Sequence, residues 1–394
     1  MQRVTLSALA DFLCLGAECP DDCCSENWDI AVDAQTIRCW NELPESPFRQ
    51  QLLASLAKKE KPGNISYSIA RGDSPACPYF GGDRLCNIQK SFGHEMLSAT
   101  CREYPRLTQQ GQGFEVRSMQ LSCPESARLV LFPNHTNPLF RVEEIATEIQ
   151  GNPLSDFFIH LEQLLYCERH IPLSRRLLFV AKTLAELAIR SETGSLTPKA
   201  IDGWKKQLKD GLEELAIAQQ TSVPTGLLGW FWQTYFLVNP KLVESLANQP
   251  TAETALWRLL TDVNVAKSDR FPAIEGLLQE SHTRIMATLA PFQNAWENHL
   301  LVSLMNNGFP RNPASGNYVA TLVAAVYPVA ITQLLLRLQV ASDTPITRES
   351  IVGLVYKVER QLSSNNRIYE FLDHNRALLR IDQYWECFGA IFPA

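Results

Sequence analysis

The segment Cys14-Leu-Gly-Ala-Glu-Cys19-Pro-Asp-Asp-Cys23-Cys24 concentrates four thiols near the N-terminus. Nine of the 11 cysteines fall within residues 1–123, and only Cys167 and Cys387 lie beyond them. A secreted disulfide framework normally comes with an export signal, whereas the first apolar run here is interrupted by Asp11. We therefore expect a cytoplasmic protein whose clustered thiols bind metal rather than form disulfides.

The other N-terminal cysteines are irregularly spaced: Cys39, Cys77, Cys86, Cys101 and Cys123. Structural zinc sites usually show paired knuckles of closely spaced cysteines, and bacterial ferredoxins show a compact run of them. Neither pattern is present. The spacing leaves open an iron–sulfur cluster or a zinc ion, because both accept thiolate ligands from distant segments.

Short segments separated by glycine and proline are typical of residues 1–137, for which we predict an irregular, cysteine-rich, metal-binding α+β domain. Its predicted elements include a strand over Phe114–Leu121. The sequence Ser122-Cys123-Pro124-Glu125 then has the form of a capping box that opens a helix. This would place Cys123 at a helix N-terminus, where free amides favour a thiolate.

Residues 138–394 have apolar side chains at helical spacing, so we predict a larger all-α domain there and a mainly α chain overall. Leu173–Ile189, Val319–Val340 and Arg348–Leu362 show the pattern well. Two stretches without charged residues, Ile217–Pro240 and Asn312–Leu336, are interrupted by polar residues and proline. They are interpreted as buried helices, and no membrane partner is expected.

The charge balance argues against a nucleic-acid partner. The chain has 36 Lys and Arg against 42 Asp and Glu, a formal net charge of -6. The glycine-rich turn of a Rossmann nucleotide site is also missing, since Gly81-Gly82 and Gly111-Gln-Gly113 lack the strand–turn–helix frame around them.

Several motifs resemble the bacterial flagellin lysine-N-methylase family. They are the 14–24 segment with its following Trp28, Cys77-Pro-Tyr-Phe80, Leu85-Cys86-Asn-Ile-Gln89, Leu97-Ser-Ala-Thr-Cys101-Arg-Glu-Tyr-Pro-Arg106 and Ser122-Cys123-Pro-Glu-Ser-Ala-Arg128. A shorter core of the same motifs is similar to a broader superfamily of zinc- or iron-chelating domains. The resemblance covers about the first 130 residues, and the chain length and the Ser122–Arg128 block favour the methylase.

The resemblance implies transfer of methyl groups from S-adenosylmethionine to the ε-amines of flagellin lysines, by a protein with a [4Fe-4S] cluster; zinc is the alternative metal. The implied ligands are the cysteines shared with the chelating superfamily: Cys24, Cys77, Cys86 and Cys101. Cys14, Cys19, Cys23 and Cys123 are further candidates. We interpret Cys39, Cys167 and Cys387, which lie outside the motifs, as buried free thiols.

Three residues that follow Cys101, namely Arg102, Tyr104 and Arg106, are candidates to contact the cofactor and balance the charge of its thiolates. His94 is a weaker metal candidate, which a helix over Ser91–Arg102 would bring onto the face of Cys101. No catalytic base can be named from the sequence. We expect the substrate lysine to enter an interdomain cleft with an acidic or polar surface.

Two other functions remain open at this point. A structural zinc could fold the N-terminal part of a non-enzymatic adaptor whose helices bind a partner. Alternatively, a cluster could serve electron transfer or redox sensing. The sequence does not indicate an oligomeric state.

Overall fold

The computed structural model describes residues 2–25, 28–61, 64–111, 114–134, 138–144, 153–166, 173–192, 276–310 and 318–362, with a few single residues between these ranges. The second charge-poor stretch falls partly in this set. Ile217–Pro240, Cys167 and Cys387 lie outside the described residues.

The described strands form two sheets. The strands are β1 (Gln2–Leu6), β2 (Ala31–Val32), β3 (Leu56–Lys61), β4 (Asn64–Ile69), β5 (Arg106–Gly111), β6 (Phe114–Met119) and β7 (Phe140–Glu144). One sheet has the order β5-β6-β1-β7 and the other has the order β2-β4-β3. In the first sheet β1 runs parallel to β6 and antiparallel to β7, so the N-terminal strand lies between two segments from much later in the chain.

Helices flank both sheets. The described helices are α1 (Ala34–Glu42), α2 (Pro47–Ala54), α3 (Asn87–Phe92), α4 (Ala99–Glu103), α5 (Pro124–Leu131), α6 (Pro153–Tyr166), α7 (Leu173–Glu192), α8 (His282–Leu289), α9 (Gln293–Asn306), α10 (Tyr318–Ala341) and α11 (Arg348–Leu362). The described residues therefore form a mixed α+β structure, and the helices predicted at Leu173, Val319 and Arg348 are confirmed.

Polar side chains fix where the first helices begin. Asp33 caps α1 by accepting a hydrogen bond from the Thr36 amide at 2.9 Å, and Ser46 caps α2 in the same way before Pro47. Asp33 also accepts a hydrogen bond from the amide of Ala99 at 2.9 Å, at the first residue of α4. One carboxylate thus joins the start of α1 to the helix that carries Cys101.

A small apolar core lies beneath the three-stranded sheet. Trp40 and Leu52 are fully buried there, and Tyr79 is almost so. The Trp40 indole donates to the carbonyl of Met96 at 2.9 Å, and the Tyr79 hydroxyl donates to Ser55 Oγ at 2.7 Å. The N-terminal part therefore has more regular structure and core than its glycine and proline content indicated.

The larger core joins the four-stranded sheet to the helical region. Helix α5 packs against α9 and α11, and β6 also contacts α9. Two asparagines of α9 reinforce these contacts: Asn298 donates to the carbonyl of Val130 and Asn306 to that of Met119, each at 2.9 Å. Apolar residues from β1, β6 and the late helices form one continuous cluster.

The predicted boundary at residue 137 does not coincide with a break in this core. Strand β7 follows residue 137 and pairs with β1, so the four-stranded sheet draws on both sides of the boundary. Apart from β7, the regular elements described beyond residue 137 are helices. Division into domains 1–137 and 138–394 stays a prediction. Sequence reasoning missed β7 because five residues are too few for a clear alternating pattern.

One helix within the described residues has the length and apolarity of a membrane span. Its window Ala324–Ala341 has a mean hydropathy of 1.4, and 89% of that window is buried inside the protein. Such burial is typical of a core helix, the environment predicted for this segment. The Thr332 hydroxyl donates to the carbonyl of Pro328 at 2.8 Å within the same helix.

Candidate functional site: a cavity lined by cysteines

The structure brings the eight candidate cysteines to one cavity. The cavity has a volume of about 490 Å³ and lies between the two sheets' connecting segments and the end of α11. The thiol-bearing residues that line it are Cys14, Cys19, Cys23, Cys24, Cys77, Cys86, Cys101 and Cys123. Cys39, which was predicted to be a buried free thiol, does not line the cavity and is only half-buried, so its predicted burial is wrong. These nine cysteines are all free.

The loop of Cys19–Cys24 is held by a local network. One oxygen of Asp22 accepts hydrogen bonds from the amides of Cys24 at 3.1 Å and Ser25 at 2.8 Å. Arg84 donates to the carbonyl of Cys19 at 2.5 Å and lies 3.6 Å from the Asp22 carboxylate. These contacts keep the double cysteine turned toward the cavity.

Trp28 fixes the same loop from its other side. Its indole donates to the carbonyl of Cys23 at 2.6 Å, and its ring lies 5.2 Å from that of Tyr104. Both aromatic residues line the cavity. The Trp28 of the sequence motif thus orients the backbone of the double cysteine.

The second pair of candidate ligands, Cys77 and Cys86, is joined to the first by the backbone. The amide of Cys77 donates to the carbonyl of Cys24 at 2.8 Å, and Phe80 forms an isolated β-bridge with Cys86. Glycine at position 81 relieves crowding in the turn between them, because a Cβ there would lie 2.6 Å from Asp83 Oδ1 and 3.1 Å from the carbonyl of Leu85.

Cys101 lies on the short helix α4, whose N-cap is Ser98; the Cys101 amide donates to the Ser98 hydroxyl at 3.3 Å. A continuous helix over Ser91–Arg102, the condition for placing His94 on the face of Cys101, is not formed. Gly93 has a φ of 88° and ends α3, and a 3-10 turn over His94–Met96 precedes α4. His94 nevertheless lines the cavity.

Cys123 is the N-cap of α5, as the sequence indicated, but the capping box is not formed. No side chain caps this helix. The Ser122 hydroxyl instead lies 3.2 Å from that of Tyr104. Burial raises the pKa of the Cys123 thiol to about 12, although the amides of Ser126 and Glu125 act in the opposite direction. Desolvation therefore outweighs the helix N-terminus, and the expected thiolate is not favoured.

The thiols also raise one another's pKa values. A hydrogen bond with Cys23 and then burial raise the pKa of Cys24, and the charges of Cys23, Cys86 and Cys77 raise it further. Burial, followed by the charges of neighbouring thiols, raises the pKa of Cys101 to about 12. Cys23 differs, because the hydrogen bond from Cys24 lowers its pKa. Without a cation, most of these groups are protonated.

A soft metal fits this donor set, because thiols are its preferred ligands and a positive ion would remove the repulsion between thiolates. The described residues do not, however, form a complete set of ligands around one metal position. Within the described ranges, no three His, Cys, Asp or Glu side chains are grouped closely enough to hold a metal ion. The structure thus places the predicted ligands around one space without selecting four of them.

The three residues predicted beside the cofactor, Arg102, Tyr104 and Arg106, also line the cavity. Burial, followed by the charge of Cys123, raises the pKa of the Tyr104 hydroxyl, so this group stays a hydrogen-bond donor at neutral pH. The guanidinium of Arg106 lies 4.9 Å from the centre of the Phe12 ring.

Sequence reasoning missed Arg360, which reaches the cavity from α11. Its guanidinium lies 3.0 Å from Asp21 Oδ1 and donates to the carbonyl of Ser122 at 3.2 Å. Arg360 and Ser122 are 238 positions apart, and no local motif connects them. Through Arg360 the last described helix contacts both the double-cysteine loop and the segment before α5.

The cavity has more basic than acidic lining residues; the acidic or polar surface expected where the substrate lysine enters stays a prediction. Basic residues among its lining are Arg84, Lys90, Arg102, Arg106 and Arg360, whereas the acidic ones are Asp21, Asp22 and Glu125. Each acidic residue pairs with an arginine: Asp21 with Arg360, Asp22 with Arg84, and Glu125 with Arg128. The net effect is a positive wall in an acidic protein.

The fold and the cavity define a mixed α+β protein with a thiol-lined pocket. Two proteins named Lysine-N-methylase, from Salmonella typhimurium and Salmonella choleraesuis, are each 22% identical over 400 residues, covering 93% of this chain and 94% of the relative. The Flagellar biosynthetic protein FliU of Salmonella muenchen is 32% identical over 138 residues, covering 33% of this chain and 79% of FliU. The chain belongs to this lysine-N-methylase family. No protein-family profile and no solved structure matches it.

Single replacement of Cys24, Cys77, Cys86 or Cys101 by Ser is expected to release bound metal, because each change removes one thiolate from the implied ligand set. Metal content after anaerobic purification measures the effect. Cys39→Ser is the matched control, since Cys39 belongs to the same part of the chain but lies outside the cavity. Metal loss in the control, with full metal retention in the four variants, would contradict this division of the cysteines into ligands and non-ligands.

Arg360→Ala is expected to lower the free energy of unfolding by about 1.5–3 kcal/mol, the range for hydrogen bonds to charged groups. Urea titration measures this change. Lys357→Ala, an exposed position on the same helix, is the control and should stay within about 0.5 kcal/mol of the wild type. Equal stability of the two variants would show that Arg360 does not join α11 to the cysteine loop.

Proposed function

We propose that this chain is an S-adenosylmethionine-dependent protein-lysine N-methyltransferase that acts on flagellin. The observation that carries the proposal is the similarity to proteins named Lysine-N-methylase over 93% of the chain. The name of FliU supports the flagellar context. The grouping of the motif cysteines around one cavity adds support, because it gives these motifs a common purpose.

The proposed cofactor is a [4Fe-4S] cluster, with zinc as the alternative, held by thiolates of Cys24, Cys77, Cys86 and Cys101. If one iron of the cluster has no cysteine ligand, only three of these four cysteines would bind iron, and the remaining iron would supply a Lewis-acidic position for the methyl donor. Cys14, Cys19, Cys23 and Cys123 surround the proposed ligands. Free thiols throughout the described N-terminal part agree with a cytoplasmic location, where flagellin would be modified before export.

The chain's own residues favour the reactive form of the substrate. A lysine amine has a pKa of about 10.4 in water and attacks a methyl carbon only when it is neutral. Apolar residues of the cavity, including Phe12, Ile30 and Ile69, would desolvate the amine. The neighbouring charges of Arg102 and Arg106 also disfavour an ammonium ion. In this proposal the positive wall lies inside the cavity, and the acidic or polar surface where the lysine enters stays a prediction.

Methyl transfer itself requires alignment more than acid or base strength. The amine lone pair forms a bond to the methyl carbon as the carbon–sulfur bond of the sulfonium breaks, which leaves a neutral thioether. The new ammonium loses its proton to solvent before any further transfer. The pairing of Asp21, Asp22 and Glu125 with arginines leaves them as positioning groups in this scheme.

Anaerobically purified protein, incubated with S-adenosylmethionine and flagellin, should yield flagellin peptides that carry methylated lysines. Mass spectrometry detects them, and Cys24→Ser is expected to lose most of the activity while Cys39→Ser keeps it. Flagellin binding without methylation would instead support a zinc-folded adaptor. Reversible reduction of the protein without methylation would support a redox protein, and either result would contradict the proposed enzyme.

A further inference from the structure

A second recess opens beside the cysteine cavity. It has a volume of about 410 Å³ and is lined by His94, Arg102, Glu103, Arg106 and Thr108. Three of these residues, His94, Arg102 and Arg106, also line the cysteine cavity. The two spaces are therefore contiguous, and the arginines stand where they meet.

These two arginines differ from the other basic residues of the cavity in their partners. Arg84, Lys90 and Arg360 each form an ion pair, with Asp22, Asp83 and Asp21 respectively. Arg102 donates only long hydrogen bonds of 3.4 Å to the carbonyls of Glu95 and Leu97. Arg106 stacks on Phe12. Over the described residues, no carboxylate lies within 4.0 Å of either guanidinium.

A guanidinium has five N–H donors in a planar fork that matches a carboxylate. The contacts of Arg102 and Arg106 leave most of these donors unused. Glu103 lines the same recess without pairing to either arginine, and its charge reduces the positive excess to a level suited to a single carboxylate. Thr108 adds a hydroxyl that can donate to the same anion.

We propose that Arg102 and Arg106 bind a carboxylate of a ligand at the mouth of the cysteine cavity. This inference rests on the proposed function, which supplies two carriers of that group. One is the amino-acid end of the methyl donor, and the other is an acidic side chain next to the target lysine in the protein substrate. Either would anchor its carrier with one end at the arginines and the reacting atom inside the cavity.

Titration calorimetry on the anaerobically purified full chain tests the inference with two ligand pairs. The first pair is S-adenosylmethionine and its decarboxylated analogue. The second is a lysine peptide with Glu beside the lysine and the same peptide with Gln there. Wild-type protein should prefer the carboxylate form of one pair by roughly tenfold or more, since hydrogen bonds to charged groups contribute about 1.5–3 kcal/mol.

Arg106→Ala should abolish that preference, and Arg106→Lys should retain part of it because the charge stays while the fork is lost. Arg141→Ala is the matched control, since Arg141 is exposed on β7 at the opposite edge of the same sheet. The pair that loses its preference identifies the carrier. Arg106→Gln, checked for an unchanged urea midpoint, replaces the alanine variant if that one fails to fold.

Three results would overturn the inference. The wild type could bind both forms of each pair equally, it could bind neither pair, or Arg106→Ala could lose the same affinity for both forms. Failure of the proposed function has a different signature. A carboxylate preference that depends on Arg106, without any methylated lysine, would refute the methyltransferase and leave the anion site standing. Methylated lysine without a carboxylate preference would refute the anion site and leave the methyltransferase standing.

Discussion

Burial among the walls of one cavity keeps most of its thiols neutral. A hydrogen bond with Cys23 and burial raise the pKa of Cys24, burial raises the pKa values of Cys77 and Cys101, and the charges of neighbouring thiols add to each shift. Cys23 differs, because the hydrogen bond from Cys24 lowers its pKa. A positive ion among these groups would favour their thiolate forms. The cysteine motifs, the loops that hold them and the positive wall all affect whether these thiols are ionised.

The surrounding structure delivers the cysteines from both apolar cores. The small core positions the segments of Cys77, Cys86 and Cys101, whereas Cys123 begins a helix buried against the late helices. Arg360 completes the enclosure from α11. Arg360 and the shared core thus connect the cysteine loop to the helical region. A metal-binding domain that folded separately would not require these contacts.

The arginines of the positive wall would act both on a bound metal and on the substrate amine. Near a metal–thiolate centre, Arg102, Arg106 and Arg360 would offset negative charge. Toward an entering lysine, the same charges favour the neutral amine. In the proposed function both effects would assist methyl transfer, although the net charge of the chain is -6. In that proposal the local charge, rather than the net charge of the chain, would decide how the substrate lysine binds.

Sequence reasoning reached the cysteine set and the late helices because both leave local signals: repeated thiols within motifs, and apolar residues at helical spacing. It missed Arg360 and β7, whose roles depend on contacts across more than a hundred residues. It also misjudged Cys123, since burial cannot be read from a capping pattern. A continuous helix over Ser91–Arg102 is interrupted at Gly93, whose positive φ ends α3. One glycine within an otherwise helical pattern is a weak sequence signal.

X-ray absorption spectroscopy at the metal edge of the anaerobically purified protein shows directly whether the cavity thiols hold a metal. A metal held among the cavity thiols should show sulfur neighbours, at about 2.3 Å for zinc, and a cluster should add iron neighbours beyond them. Nitrogen and oxygen neighbours alone, or protein that binds no metal under these conditions, would contradict the account.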